Sequence, residues 1–185
     1  LKKVLLIPVG NIEEGILKEI ASAAEKAFPF RAEMGHPVDI PENAFNAKRQ
    51  QYHSTLIIEA LSRLKDHGSD LILGIVDKDL YVPQLNFVFG EADIRRGIAI
   101  ISLFRLRQEF YRLRPDRRLF IERAIKEAIH EIGHLCGLEH CHEKRCIMYF
   151  SNTIRDTDIK GPGFCKSCLK RLGYIELIES SQGTI

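Results

Sequence analysis

No stretch of this 185-residue chain approaches the roughly 20 consecutive apolar residues needed to cross a bilayer, so the sequence predicts a soluble protein. The apolar run near the start, Val4 to Val9, is too short for the core of a secretion signal and is interrupted by Pro8 and Gly10; it reads as a buried strand. Charge of one sign is also missing. Lys and Arg total 27 against 25 Asp and Glu, and a net charge of +2 gives no general pull toward nucleic acid or an anionic membrane. The cysteines do not pair off: five of them, without an export signal, suit reduced thiols or metal ligands better than a disulfide framework and point to the cytoplasm. There is no repeat and no low-complexity segment. At this length, with 45% hydrophobic residues, one domain with a substantial core is expected.

The pattern that is present alternates strand-like and helix-like stretches, the mark of an α/β fold. VLLIPV at 4–9 is followed by a helical pattern from about Glu13 to Ala27 and by FRAEMG from Phe30. A polar, turn-rich stretch at 36–51 precedes a helix with Leu56, Ile57, Ala60, Leu61 and Leu64 on one face, expected to end near Gly68. Three further strands are predicted from Asp70, Asn86 and Gly97 by their β-branched and aromatic residues. The one beginning at Asn86 is short, carries Gly90 and is polar at its ends, which suits a sheet edge along which a peptide could pair. After Pro115, Asp116 can cap a helix whose Ile121, Ile125, Ala128, Ile129, Ile132 and Cys136 form one apolar face.

That helix carries HEIGHLCGLEH at 130–140, a complete HExxHxxGxxH pattern. His130 and His134 are one turn apart and project from the same face, so both can hold one metal. Gly137 falls where the helix must stop, because glycine accepts the positive φ of a C-terminal cap, and the redirected chain can return His140 as a third ligand. Three imidazoles leave a fourth tetrahedral position open, as in a catalytic zinc site rather than a structural one. Glu131 directly follows the first ligand and can serve as general base for metal-assisted hydrolysis of a peptide bond. A bare HExxH is commonly a helix surface without metal; the glycine and the third histidine make the difference.

Cys141, Cys146, Cys165 and Cys168 form a Cx4C followed by CxxC, a set suited to a closed tetrahedral zinc site. Cys136 lies on the apolar helix face and reads as a small buried hydrophobe, and His142 is an unneeded substitute for a cysteine ligand. The expectation is therefore two zinc ions per chain, with the structural one anchoring the segment that delivers His140.

HExxHxxGxxH running into Cx4CxM and then CxxC over residues 130–168 resembles the archaemetzincin family of metzincin metallopeptidases. The resemblance implies a metzincin-like twisted mixed sheet with an active-site helix and a small zinc-stabilised C-terminal subdomain, divided at 1–137 and 138–185. It implies His130, His134 and His140 as catalytic zinc ligands, Glu131 as the base, Met148 as the residue of a Met-turn beneath the metal, and the four cysteines as structural ligands. Some other metzincins place a tyrosine two residues past that methionine. Here Phe150 stands there and Tyr149 comes first, which leaves Tyr149 as a candidate transition-state helper. The implied substrate is a peptide or protein; endo- and aminopeptidase activity are both compatible.

Two other readings compete. A metzincin fold that binds a protein partner without turnover is compatible with the same residues. A zinc-stabilised nucleic-acid module would use Arg95, Arg96, Arg105, Arg107, Arg112, Arg114, Arg117 and Arg118, but it leaves Glu131 without a role and the near-neutral charge gives it little affinity for phosphate.

Overall fold

The structure, a computed structural model, describes residues 2–65 and 71–173. In chain order its main elements are β1 (Lys2–Val9), α1 (Glu14–Ala27), β2 (Phe30–Met34), β3 (Phe45–Asn46), β4 (Gln51–His53), α2 (Ser54–Ser62), β5 (Leu71–Val76), β6 (Leu80–Tyr81), β7 (Gly90–Asp93), β8 (Ile98–Ser102), α3 (Arg117–Leu135), α4 (Ile154–Ile159) and α5 (Lys166–Arg171). The larger sheet runs in the order β2, β1, β5, β8, β7. The first four strands are parallel, and β7 closes one edge antiparallel to β8, with Gly90 opposite Ile101 and Asp93 opposite Ile98.

The central strands LILGIV and IAIIS are buried at every position, as parallel strands covered by helices on both faces must be. On one face Leu73, Ile75, Ala99 and Ile101 meet α1 and α3 through residues such as Ile16, Ile20, Ala124 and Ile132. On the other, Ile72, Ile98 and Ile100 meet Ile57, Ile58 and Leu61 of α2. The mixed α/β sheet and the edge position of β7 agree with the sequence reading.

Three expectations need correction. The described part of α2 ends at Ser62, where Arg63 and Leu64 N–H groups turn back to the carbonyls of Ala60 and Leu61. Leu64 is consequently exposed rather than on the buried face, and Gly68 lies outside the described residues. The strand expected from Asn86 begins only at Gly90, because the preceding residues are drawn toward β6 by the bond from the Val88 N–H to the Leu80 carbonyl. The polar stretch 36–51 contributes to a small second sheet, β3, β4 and β6, whose strands of two or three residues are too short to show a period.

α3 begins as expected, with the Asp116 side chain accepting from the Leu119 N–H at 2.9 Å. Its burial is wider than one face. Besides Ala128, Ile129 and Ile132, it buries Phe120, Ala124 and Leu135 and also the polar Arg123, Lys126 and Glu127. The chain at 157–160 covers that second side: Arg123 holds Asp158 through two bonds of 2.7 Å, and Lys160 approaches Glu127 at 2.8 Å.

Candidate metal centres and catalytic cleft

The C-terminal end of α3 supplies the first cluster. Gly137 has φ +86°, the Leu138 N–H reaches back to the Gly133 carbonyl at 3.0 Å and the Gly137 N–H to that of His134 at 2.9 Å, a helix stop only an αL residue can make cheaply. The turn returns the chain so that His140 stands against both helical imidazoles, its ring centroid 4.8 Å from that of His134 and 5.4 Å from that of His130.

The Nδ1–H of His130 donates to the Ile147 carbonyl at 2.8 Å and that of His134 to the Leu138 carbonyl at 2.7 Å. A carbonyl can only accept, so each ring keeps its proton on Nδ1 and turns an Nε2 lone pair inward. The two Nε2 atoms are 3.1 Å apart. Two lone pairs at that distance repel unless a cation lies between them, and zinc at its usual ~2.0–2.1 Å from each nitrogen would set tetrahedral ligands about 3.3 Å apart. Burial, with Lys160 and the other imidazoles adding to it, holds the His130 pKa well below the usual histidine range; burial also lowers those of His134 and His140. All three are thus biased to the neutral form that binds metal.

These rings face a cleft of about 720 Å³ together with Glu131, β7 and the segment leading into it. Glu131 is almost wholly buried, and burial followed by the charge of Glu127 raises its pKa well above the usual carboxylate range. It fits because β7 begins with glycine: a Cβ on Gly90 would lie 2.5 Å from the Glu131 Oε1. The cleft wall at Leu85–Asn86 is latched from outside by Arg49, whose guanidinium donates to both carbonyls at 2.7 and 3.0 Å. Met148, fully buried, packs its sulfur against Gly133, directly beneath the turn that carries His130 and His134. Phe150 lines the cleft and packs on His140 with ring centroids 4.6 Å apart, whereas Tyr149 is not among the lining residues. The backbone of Tyr149 is instead bridged to Cys141.

The second cluster begins at the residue after His140. Cys141 and Cys165 have their sulfurs 3.7 Å apart, as do Cys146 and Cys168, and all four sulfurs lie within 4.8 Å of one another. Zinc with ~2.3 Å bonds to four sulfurs would space them about 3.8 Å apart. Backbone N–H groups of Glu143 and Cys165 donate to the sulfurs of Cys141 and Cys146 at 3.4 and 3.3 Å, although at Cys146 burial outweighs that bond and holds the thiol pKa up. Against the upward push of burial, hydrogen bonds from Cys168 and the other cluster members bring Cys165 down to about 7. Cys136 stands apart from both clusters, half-buried, with its thiol pushed up to about 11 by burial.

Of the arginines that suggested a nucleic-acid surface, Arg96, Arg105, Arg107 and Arg117 are occupied by Asp93, Asp79, Asp77 and Glu13. Those charges serve the fold instead of forming a free basic patch. Among the described residues no helix is long and apolar enough to cross a membrane. Sequence reasoning missed the burial of Glu127 and Lys160 and the contact with Glu131 that requires glycine at position 90, all of which depend on partners distant in the chain.

A mixed α/β sheet with an antiparallel edge strand over a cleft, and a histidine-bearing helix that ends at a glycine turn, frame this site. Residues 14–174 match the model of peptidase family M54. The chain is 45% identical over 170 residues to the archaemetzincin of Methanocaldococcus jannaschii, covering 92% of each protein. The crystal structure of archaemetzincin from Methanopyrus kandleri superposes with a TM-score of 0.83 at 32% identity, covering 93% of each chain. A zinc-dependent peptidase from Methanocorpusculum labreanum also gives 0.83, at 29% identity over 91% of this chain and 99% of that one. The chain belongs to peptidase family M54, the archaemetzincins.

Proposed function

We propose that this metallopeptidase cleaves peptide bonds at the floor of the cleft, with zinc held by His130, His134 and His140 and with Glu131 as general base and acid. The observation that carries the reading is the pair of inward Nε2 lone pairs, 3.1 Å apart and fixed by carbonyl bonds on Nδ1, beside a buried carboxylate. Zinc bound there would polarise the substrate carbonyl and acidify water. Glu131 takes the proton of the attacking water on a carboxylate oxygen and returns it to the departing amine. The open edge of β7 offers backbone groups to an extended peptide.

In the same reading Met148 supports the ligand-bearing turn, and Cys141, Cys146, Cys165 and Cys168 hold a second, structural zinc that stabilises the C-terminal subdomain from residue 138 onward. Gly137 is the corner between the two parts. Thiols kept as ligands suit a reducing compartment such as the cytoplasm. Wild-type protein and Glu131→Gln, assayed in parallel on a peptide library with zinc counted per chain, test the proposal. The variant is expected to keep two zinc ions and to lose cleavage by about a thousandfold. Equal cleavage by the two proteins would remove Glu131 from the chemistry.

A further inference from the structure

A lysine with no exposed surface is rare unless something requires it. Lys160 is 1% exposed as a residue and its side chain not at all, and its ion-pair partner among the described residues is Glu127, at 2.8 Å. Glu127 is buried too, and the same oxygen, Oε1, also accepts from the Thr157 hydroxyl at 3.1 Å. Removing two charges from water costs more than their attraction commonly returns, so a buried pair is a poor device for stability alone. A pair of apolar side chains would fill the α3–α4 interface at least as well.

The location of the pair supplies the reason. Glu127 is one turn before Glu131 on the same helix face and lines the same cleft as Glu131, His130 and His134. We infer that Glu127 and Lys160 are positioning residues of the catalytic site: a charge pair, with Glu127 in the cleft wall and Lys160 behind it, that presses the Glu131 turn against the chain at 157–160 and whose two fields oppose each other at His134 and Glu131. Without Lys160 a second uncompensated carboxylate would stand beside Glu131; without Glu127 a bare ammonium would oppose the metal. The field of Lys160 bears on all three histidines and on Glu131, that of Glu127 on His134 and Glu131, and Glu91 of β7 is the other acid facing Glu131. The inference rests on the proposed role of the histidine cluster as a zinc site.

The test measures zinc affinity at the histidine site by chelator competition in Lys160→Met, Glu127→Gln and the double variant, with the cysteine site filled. A cancelling pair predicts opposite signs: tighter zinc by about tenfold in Lys160→Met, weaker by about tenfold in Glu127→Gln, and a value within about threefold of wild type when both are replaced. Cleavage of the peptide library at saturation should fall in each single variant and recover in the double one, with KM little changed. Weaker zinc in all three variants, with the double variant worst, would show ordinary packing and overturn the inference. Should Lys160→Met fail to fold, recovery from Glu127→Gln to the double variant still decides the matter. Wild-type protein that binds no zinc at the histidines would instead overturn the zinc reading itself, and this inference with it.

Discussion

The histidine cluster and the cysteine cluster are joined by a single peptide bond, between His140 and Cys141, yet they are built on opposite terms. The histidines stand on or beside a long buried helix, their tautomers fixed by two carbonyls, and they face a cleft. The cysteines stand on a short loop and at the start of a six-residue helix, with backbone N–H groups turned onto their sulfurs. In the first, the fold positions the donors and leaves room for a reactant. In the second, the four sulfurs face one another, and Cys146 and Cys168 are themselves part of the buried core with Leu138, Ile147 and Met148. Three donors facing a cleft and four facing one another are the difference on which the proposed catalytic and structural roles rest.

Three substitutions would break or sharpen this contrast. His134→Ala has the largest expected effect on turnover: cleavage should fall by about a thousandfold or more and one of two zinc ions should be lost, while the melting temperature of the sheet domain changes little. Intact cleavage by that variant would dissolve the distinction. Cys165→Ser should do the reverse. It is expected to release the other ion and to cost about 3 kcal/mol, roughly 6–12 °C in melting temperature at this chain length, with His130 and His134 still in place. Unchanged zinc content and melting would sink the four-cysteine assignment. Gly90→Ala touches neither set of donors. The added methyl meets Glu131 at Oε1, Cδ and Cγ, so that buried side chain must shift; stability should drop by about 1–3 kcal/mol while kcat falls by about ten- to a hundredfold with zinc retained. A kcat equal to wild type would mean that the placement of Glu131 is looser than its burial indicates.

Much of this was legible in the residues. The apolar runs of β1, β5 and β8 and the periodic pattern of α1 report burial directly, and the histidine and cysteine spacings report ligand geometry, because helix pitch and metal coordination are local rules. What was not legible depends on partners distant in the chain. Arg123, Lys126 and Glu127 look like a solvated helix face until Asp158 and Lys160 cover them. β3, β4 and β6 are too short to carry a period, and Gly90 is glycine because of a carboxylate that arrives from α3. The cleft-lining role of Phe150 in place of Tyr149 follows from a backbone bridge that no spacing announces.

Measured along the chain instead of through space, the two clusters also differ in when they can exist. His130 and His134 are four residues apart and are placed by the formation of one helix, a local event. His140 needs only the glycine turn. The cysteine contacts close over 24 and 22 residues, and between those partners the chain must first make the Met148 turn and lay the Asp158 and Lys160 segment against α3. Closing the thiol site thus requires a longer loop to be brought together than placing the helical histidines does, and an ion bound there would report that the polypeptide around it has assembled.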